Sequence, residues 1–418
     1  MRLACIGTGF VGVVTAAVFA KLGNTVVGLD IDEGKIAKLK QGIVPFFEPG
    51  LSELLVETQK TGNLTFTTSY AEAISSAEVI FIMVGTPSAP DGQADLQYVF
   101  ASVEALAPHL IDGAIVVIKS TVPPGTNDKV KELIGAKTKV SFEVASVPEF
   151  LKEGTAVEDT LHPDRIILGV ELGHAKETLT KLHEPLTQNF IVMKPASAQM
   201  CKYASNNYLA TRITFINQIA DLCEQNDADV EEVIRGMGAD RRIGSHYWYP
   251  GLGYGGSCFP KDVKEIAAYA QHVGESDSLF IKIDLLNSTR IPKLMAKYDQ
   301  LVGGFAGKTV AILGLSFKKN TNDTREAPAE YVISWLRAHQ ALVKTADPQV
   351  PADTLDPYQA ATGSHVVMLL VEWDEYLKLD LTKLASVMKT PKYFIDTRNQ
   401  YDPAAVSAAG LKYQGVGR

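Results

Sequence analysis

The sequence predicts an α/β protein with two open parallel sheets, joined by a central region that contains one long helix. Strand-sized apolar runs alternate with helix-like stretches up to about residue 170, and this pattern returns after residue 308. Between the two, apolar residues recur at helical intervals over about 196–235, with no turn signal. The length of 418 residues suits two to three domains of about 100–200 residues each.

The elements follow one another in a regular order along the chain. The first set of predicted parallel strands is 3–6, 25–29, 79–84, 114–119 and 165–170. The long helix and then shorter helices extend to about residue 295, and the glycine-rich stretch 303–307 is the expected linker. The second set of strands is 308–314, 341–346, 366–371 and 393–396.

Composition and charge exclude several classes of protein. With 46% hydrophobic and 21% charged residues the chain is typical of a folded protein, and its formal charge of −8 disfavours nucleic acid as a partner. The longest apolar runs are too short to span a membrane, and the N-terminus lacks the pattern of a signal peptide, so we expect a cytoplasmic protein. The spacing of Cys5, Cys201, Cys223 and Cys258 indicates neither disulfides nor a metal site, and His246 has no ligand at suitable spacing, so no metal is expected.

A nucleotide-binding pattern stands at the start of the chain. Gly7-Thr8-Gly9-Phe10-Val11-Gly12 follows a buried strand and opens an alanine-rich helix, where backbone N–H groups can receive a pyrophosphate. The next strand ends in Asp30, whose carboxylate can accept hydrogen bonds from a ribose diol and would repel a 2′-phosphate. The pattern predicts a Rossmann-like domain that binds NAD rather than NADP. The alternative is that the glycines only close a turn and that Asp30 caps a helix.

A second informative segment, 251–262, is rich in glycine and contains Cys258. Pro260 is expected to start a helix, which places Cys258 near a helix N-terminus. The helix dipole and Lys261 both favour the thiolate, and Asp262 offers a carboxylate that can take up a proton. We therefore interpret Cys258 as a nucleophile, whereas Cys5, Cys201 and Cys223 are expected to be packing residues.

A thiol beside an NAD site points to one class of chemistry. Oxidation of an alcohol to a carbonyl needs only a hydride acceptor and a base, so a nucleophilic cysteine would have no task there. Oxidation of an aldehyde to an acid is different. A thiolate can form a thiohemiacetal, which loses a second hydride to give a thioester that water hydrolyses. The two segments together predict oxidation to a carboxylate.

These two segments resemble the UDP-glucose/GDP-mannose dehydrogenase family, and the similarity extends along the whole chain. Further matching motifs, in the order of the family, are 84–87, 120–126, 148–154, 202–207, 241–244 and 317–325. The resemblance implies an N-terminal NAD domain (1–195), a central helical dimerisation region (196–300) and a C-terminal UDP-sugar-binding domain (301–418). It also implies a homodimer in which Arg242 reaches the substrate site of the neighbouring subunit.

The resemblance implies that a sugar C6 alcohol is oxidised twice, with two NAD⁺, through a thioester on Cys258. Lys202 and Asn206 lie one turn apart on the long helix and therefore share a face, from which both can stabilise an oxyanion. By the same resemblance Glu149 is the acid/base near the hydrolytic water, which Thr121 and Asp262 help to place. The predicted catalytic residues are Cys258, Lys202, Asn206, Asp262, Glu149 and Thr121.

The resemblance also assigns the binding residues. Those predicted to bind the cofactor are Gly7, Thr8, Gly9, Phe10, Val11, Gly12, Asp30, Lys35, Gly85, Thr86, Pro87, Ser120, Thr121, Glu153, Lys261 and Arg325. Those predicted to bind the sugar nucleotide are Glu149, Phe150, Leu151, Lys152, Glu153, Lys202, Asn206, Arg242, Tyr249, Gly251, Gly253, Tyr254, Gly255, Phe317, Lys318 and Arg398.

Two alternatives remain open at this point. The segment 257–262 is more similar to the UDP-glucose branch of the family, but a related enzyme could act on GDP-mannose or a UDP-N-acetylhexosamine. A nucleotide-sensing protein that lost turnover is a different class. The presence of Cys258, Lys202, Asn206, Glu149 and Asp262 argues against a sensor, which needs no nucleophile.

Overall fold

The computed structural model of the chain describes residues 1–171 and 173–418. These residues form two compact units, Met1–Ser205 and Asn206–Arg418, which are described separately. Within the described ranges, no helix combines the length and the apolar character that crossing a membrane requires.

The first unit alternates strands and helices along nearly its whole length. Its strands are β1 (Arg2–Ile6), β2 (Thr25–Leu29), β3 (Leu64–Thr67), β4 (Val79–Ile82), β5 (Ala114–Ile118), β6 (Phe142–Ser146), β7 (Ile166–Gly169) and β8 (Phe190–Met193). Its helices are α1 (Phe10–Lys21), α2 (Glu33–Lys40), α3 (Leu51–Lys60), α4 (Tyr70–Ile74), α5 (Gln97–Leu106), α6 (Thr126–Gly135), α7 (Ala156–Leu161), α8 (His174–His183) and the first part of α9 (Pro195–Cys223).

These strands form an 8-stranded sheet in the order β3-β2-β1-β4-β5-β6-β7-β8. From β3 to β6 all neighbours are parallel, and the order reverses between β1 and β4, as in dinucleotide-binding sheets. The parallel direction predicted for 165–170 is wrong, because β7 pairs antiparallel to β6. The segment between them holds only the short helix α7, which does not return the chain to the amino edge of the sheet.

Both faces of this sheet are buried. On β1, Leu3 and Cys5 pack into one hydrophobic cluster, whereas Ala4 and Ile6 pack into another on the opposite face. Successive strand residues point to opposite faces, so a strand covered on both sides is apolar throughout. This explains why β1, β4 and β5 were visible in the sequence as continuous apolar runs. The edge strands β3 and β8 and the strand β6, which is only half-buried over residues 142–144, were not.

The second unit contains the rest of α9, a group of helices and another sheet. The helices are α10 (Val230–Gly238), α11 (Phe259–His272), α12 (Leu279–Ser288), α13 (Arg290–Val302), α14 (Pro328–Ala338), α15 (Pro357–Ala361), α16 (Leu381–Val387) and α17 (Pro403–Ala408). The strands are β9 (Thr309–Leu313), β10 (Leu342–Ala346), β11 (Val366–Leu369), β12 (Tyr393–Asp396) and β13 (Lys412–Gln414).

The second sheet is 5-stranded and parallel, in the order β10-β9-β11-β12-β13. Two hydrophobic clusters cover its faces, one of which includes Met295 and Tyr298 from α13. Loops at the carboxyl ends of β9, β11 and β12 carry Lys318, Glu372 and Arg398. Ligands of open α/β sheets bind at this edge.

The predicted continuous helix over about 196–235 is wrong in its continuity, because the helix breaks after residue 223. Helix α9 ends at Cys223, and α10 begins at Val230. Between them Asp227 adopts a left-handed conformation with φ 54°. The carboxylate of Asp229 then caps α10 by accepting a hydrogen bond from the backbone N–H of Glu231 over 2.8 Å. Asparagine and aspartate favour caps and turns, and this local signal overrides the apolar periodicity.

Candidate functional site

The glycine loop between β1 and α1 has the backbone that a phosphate site requires. Gly7 has φ +92°, and a Cβ there would lie 2.6 Å from the carbonyl oxygen of Met83. Gly9 is the N-cap of α1, and a Cβ at this position would meet nothing within 4 Å. Open space therefore lies before the first N–H groups of a buried helix. This arrangement fits the pyrophosphate of a dinucleotide.

The carboxylate of Asp30 lies at the end of β2, beside this loop. Its Oδ2 accepts hydrogen bonds of 2.9 Å from the backbone N–H and the hydroxyl of Thr8, and from Lys35 Nζ. Burial would raise the pKa of Asp30, but the hydrogen bonds from Lys35 and Thr8 outweigh it and hold the pKa below its usual value. The group is thus an anion beside the glycine loop, which fits an acceptor of ribose hydroxyls. The structure brings Thr8, Asp30 and Lys35 together.

Two further segments that are predicted to bind the cofactor are joined by hydrogen bonds at the same edge of the sheet. The hydroxyl of Thr86 donates to the carbonyl oxygen of Thr121 over 2.9 Å, and that of Ser120 donates to the carbonyl oxygen of Val84 over 2.7 Å. These bonds fix the loops after β4 and β5, which contain Gly85 and Pro87.

Lys202 and Glu149 form a buried ion pair in the first unit. Lys202 Nζ lies 2.8 Å from Glu149 Oε1, and their side chains are only 4% and 9% exposed. The other oxygen of Glu149 accepts the backbone N–H of Leu151 over 2.9 Å. Two cations lie near the ring of Phe150, since its centre is 4.1 Å from the Arg165 guanidinium carbon and 5.3 Å from Lys202 Nζ.

Sequence reasoning missed Lys119, which is buried next to this pair. Burial lowers its pKa to about 8, the Glu149 carboxylate opposes that effect, and the Lys202 ammonium adds to it. The available signal was a lysine directly after a buried strand and before Ser120. A charge at such a position needs an explanation.

Glu48 was also missed, although it supports the segment 149–154. Its buried carboxylate accepts the backbone N–H groups of Gly154 and Ala156 over 2.6 and 2.7 Å. Of the predicted substrate residues in this segment, Glu153 is buried, whereas Lys152 pairs with Asp159 at 2.8 Å. No local sequence signal links Glu48 to a segment so distant in the chain.

In the second unit, Cys258 occupies the position expected of it. The residue is the N-cap of α11, Phe259 and Pro260 open the helix, and the cysteine is exposed. Its Sγ lies 3.7 Å from the hydroxyl of Ser257. By contrast, Cys5 and Cys223 are buried and Cys201 is half-buried, and the four form no disulfide in the described part of the chain. A thiol at an exposed helix start has the environment of a reactive cysteine.

Asp262 lies one turn into α11, where two side chains hold its buried carboxylate. The amide of Asn206 donates to Oδ2 over 2.5 Å, and Lys261 Nζ lies 2.7 Å from Oδ1. Lys261 also pairs with Glu265 at 3.1 Å. Burial would lower the pKa of Lys261, but the carboxylates of Asp262 and Glu265 outweigh it and raise that pKa. The structure thus brings together three predicted site residues, Asn206, Lys261 and Asp262.

The glycine-rich segment before Cys258 packs closely against the loop between β9 and α14. Gly256 has φ +84°, and a Cβ there would lie 2.7 Å from the ring of Phe317. The backbone N–H of Gly256 donates to the carbonyl oxygen of Arg325 over 3.1 Å. Asn287 holds the backbone of Tyr254 by two hydrogen bonds, of 2.9 and 3.0 Å. Tyr249, at the start of the segment, is exposed.

Three of the remaining predicted cations, Arg398, Arg325 and Arg242, are held by acidic neighbours in the same unit. Arg398 forms a bidentate pair with Glu372, at 2.7 and 3.0 Å, and Arg325 forms one with Asp323, at 2.9 and 2.7 Å. Glu372 was not foreseen. Lys318 Nζ lies 5.6 Å from the ring centre of Phe317. Arg242 is 87% exposed and pairs with Asp240 at 2.6 Å.

Comparisons with known protein families identify the family to which this chain belongs. Residues 1–187 match the NAD binding domain of the UDP-glucose/GDP-mannose dehydrogenase family, 196–289 its central domain and 311–403 its UDP binding domain. The chain belongs to the UDP-glucose/GDP-mannose dehydrogenase family. A UDP-glucose 6-dehydrogenase from Pseudomonas aeruginosa is 41% identical over 100% of this chain and 98% of that protein.

Solved structures agree with the family assignment. A UDP-glucose dehydrogenase from Pyrobaculum islandicum has a TM-score of 0.90 and 35% identity, and covers 99% of this chain and 97% of its own. A UDP-D-ManNAc dehydrogenase from Pyrococcus horikoshii also has a TM-score of 0.90, at 28% identity, and covers 100% and 99%. The predicted family, fold class and NAD-dependent oxidoreductase chemistry are therefore confirmed. The individual residue roles stay predictions.

Proposed function

We propose that the chain is a UDP-glucose 6-dehydrogenase, which oxidises the C6 alcohol of UDP-glucose to the carboxylate of UDP-glucuronate. The observation that carries this proposal is the similarity over the whole chain to proteins named UDP-glucose 6-dehydrogenase. The exposed thiol at the start of α11 supports it, since a nucleophilic thiol allows oxidation to continue past the aldehyde through a thioester.

Each region has a task in this proposal. Residues 1–195 bind the cofactor, 196–300 dimerise, and 301–418 hold the UDP part of the substrate. The first N–H groups of α1 receive the pyrophosphate, and the Asp30 carboxylate receives ribose hydroxyls. When bound, NAD⁺ accepts hydride from carbon.

The first oxidation removes a hydride from C6 and a proton from its hydroxyl. Asp262 is the proposed proton acceptor, and together with Thr121 it helps to place the water that later hydrolyses the thioester. The buried ammonium of Lys202 and the amide of Asn206 donate hydrogen bonds to the oxygen as negative charge develops on it. Binding contacts are assigned to Phe317, Lys318 and Arg398 at the carboxyl edge of the second sheet.

The second oxidation depends on Cys258. Its thiolate adds to the aldehyde carbon, and the resulting thiohemiacetal loses a second hydride to give a thioester. Glu149 then takes a proton from water, the water oxygen bonds to the carbonyl carbon, and the C–S bond breaks. The products are the carboxylate and the regenerated thiol. Glu149 suits this role because its carboxylate is fixed by Lys202 and by the backbone of Leu151.

A homodimer is part of the proposal. Helix α9 carries large apolar side chains that are exposed in the single chain, among them Tyr208 and Phe215, and a second copy would cover them. Arg242 is assigned to the substrate site of the partner, where a permanently charged guanidinium can bind sugar hydroxyls or phosphate. We place the enzyme in the cytoplasm, where thiols such as Cys258 stay reduced.

Counting NADH per sugar nucleotide tests the proposed reaction. Excess NAD⁺ with limiting UDP-glucose should yield about two NADH per sugar, since a simple alcohol dehydrogenase stops at one and a sensor produces none. Cys258→Ser should bind NAD but stop steady acid production, because an alkoxide leaves an ester less readily than a thiolate. Cys201→Ser is the matched control and should retain turnover. Steady acid production by Cys258→Ser would contradict the thioester route.

A second candidate substrate is a UDP-N-acetylhexosamine, favoured by the structural similarity to the Pyrococcus horikoshii UDP-D-ManNAc dehydrogenase. The same assay with UDP-N-acetylmannosamine and with GDP-mannose decides between them. We expect the highest kcat/KM with UDP-glucose. A higher value with either of the other sugars would replace the proposed substrate while leaving the reaction class intact.

A further inference from the structure

A cavity of about 390 Å³ lies within the second unit, bordered by α11, α12, α13, α14 and the segment before Cys258. Small-molecule pockets in proteins begin at about 300 Å³. Its apolar wall includes Leu252, Pro260, Ile291, Pro328 and Trp335. Of the residues assigned above to cofactor, substrate or catalysis, only Tyr254 lines it.

A buried phenol without a partner lies in the wall of this cavity. Tyr254 is only 6% exposed, and its hydroxyl makes no hydrogen bond among the residues that the structure describes. Burial and the nearby Asp284 carboxylate both raise the pKa of Tyr254, so the phenol stays protonated. A buried hydroxyl without a partner destabilises the folded chain, and a ligand with a suitable polar group would remove that cost.

The charged groups of the cavity are unbalanced towards negative charge. Glu326 accepts the hydroxyl hydrogen of Tyr331, and Lys264 Nζ lies 3.9 Å from the other Glu326 oxygen. Asp284 forms neither a hydrogen bond nor an ion pair within residues 1–171 and 173–418. Burial and Glu326 raise the pKa of Asp284, while Lys264 opposes them. The carboxylates of Asp284 and Glu326 therefore face the ammonium of Lys264, which leaves an excess of negative charge at the cavity.

We propose that this cavity binds a small organic ammonium ion with an apolar body, whose N–H groups donate to Asp284 and to the hydroxyl oxygen of Tyr254. The apolar body would pack against Ile291, Pro328 and Trp335. Sugar nucleotides and NAD carry phosphates, which the two carboxylates repel, so the cavity suits neither of them. The cavity therefore suits a different ligand from those of the proposed reaction, although Tyr254 is assigned to both.

Its position gives an occupant direct contact with the segment that carries Cys258. Leu252, Tyr254 and Pro260 all belong to that segment and all line the cavity. The paired hydrogen bonds between Asn287 and the backbone of Tyr254 join the cavity wall to the same segment.

Phenethylamine and its neutral analogue 2-phenylethanol test the proposal on the full chain by calorimetry or saturation-transfer NMR at pH 7. The amine should bind about 10-fold more tightly than the alcohol, because a charged donor meets a carboxylate. Asp284→Asn should reduce amine affinity to that of the alcohol and leave alcohol affinity unchanged. Glu177→Gln, an exposed acid on α8, is the matched control and should change neither.

A second variant tests the cavity itself. Ser334 lines it from the exposed side of α14, and Ser334→Trp should fill the space and abolish binding of both compounds while the melting temperature stays near that of the wild type. Equal affinity for amine and alcohol, amine binding that survives both variants, or no amine binding to the wild type would overturn the proposal. The proposal would also be wrong if the wild type binds no amine and Ser334→Trp changes the oligomeric mass, because a second copy of the chain would then cover the cavity.

Discussion

Lys119 shows how one buried charge affects the surroundings of the proposed catalytic pair. It follows β5 directly, and its pKa of about 8 reflects burial first, with Glu149 opposing and Lys202 reinforcing the effect. The neighbouring thiol of Cys5 is buried too, and burial raises its pKa to about 12. Cys5 is therefore inert at neutral pH, whereas the exposed Cys258 at a helix start is the thiol suited to attack.

The lowered pKa of Lys119 predicts the direction in which the stability of the folded chain changes with pH. Below about pH 8 both the folded and the unfolded chain carry its proton, and the cost of burying the charge is present in full. Between about 8 and 10.5 the unfolded chain keeps a proton that the folded chain has lost, so this residue's contribution to stability rises with pH. Above that range the cost has disappeared.

Lys119→Met should therefore raise the melting temperature at pH 7, and the gain should shrink as the pH approaches 10. Removal of 1 kcal/mol of destabilisation corresponds to about 2–4 °C for a unit of this size. The comparison of wild type and variant by calorimetry at pH 7 and pH 10 measures it, with the exposed Lys139→Met as control. An equal gain at both pH values, or none at pH 7, would contradict the assigned pKa.

Single residues were predictable where a local pattern fixes their place. The loop 7–12, Asp30 and Cys258 each stand next to a strand or helix end, and the structure puts them at those ends. The partner of Arg398 was not predictable, because Glu372 comes beside it only through the pairing of β11 with β12. Such contacts depend on the order of strands in the sheet, which no local spacing encodes.

At the scale of elements, Glu48 connects the loop before α3 to the start of α7 by hydrogen bonds. It lies just before α3, yet its carboxylate accepts two backbone N–H groups at the start of α7, including that of Ala156. The segment it supports carries Glu149 and Glu153. Helix starts leave N–H groups without intrahelical partners, and a buried one requires an acceptor from elsewhere. Glu48 is thus a positioning residue for the proposed hydrolytic base.

Replacement of Glu48 by alanine should lower both stability and turnover. Two buried N–H groups would lose their acceptor, at a cost of about 1–3 kcal/mol each. Glu48→Gln keeps one acceptor oxygen and should be intermediate. Melting temperature measures the first effect. Single-turnover release of acid from the thioester measures the second, since misplacement of Glu149 slows hydrolysis more than the first hydride transfer. If Glu48→Ala is as stable as the wild type and hydrolyses the thioester at the normal rate, Glu48 does not position Glu149.

The elements themselves were only partly predictable. Continuous apolar runs revealed β1, β4 and β5 because both faces of these strands are buried. The direction of β7 was not visible, since a strand has the same apolar pattern whichever way it pairs. The break between α9 and α10 had a signal in Asp227 and Asp229, but the apolar periodicity on either side outweighed it in the sequence interpretation.

At the scale of the whole molecule, Arg242 raises the question of assembly. Its side chain is 87% exposed and pairs with Asp240, two residues away. An exposed ion pair of this kind contributes about 0–1 kcal/mol, so stability gives little reason for an arginine here. A role in the site of a second subunit does give a reason, because a guanidinium can hold sugar hydroxyls or phosphate with several donors.

Mixing two inactive variants tests the shared site. Arg242→Ala lacks the residue donated to its partner, and Cys258→Ala lacks the nucleophile in its own site. A mixed dimer contains one site with both residues, so random exchange of equal amounts should restore about one quarter of wild-type activity. Labelled subunits and native mass spectrometry verify that exchange occurs. Complete exchange without recovered activity would place Arg242 in its own subunit's site, or in none, and the dimer would then not be needed to complete catalysis.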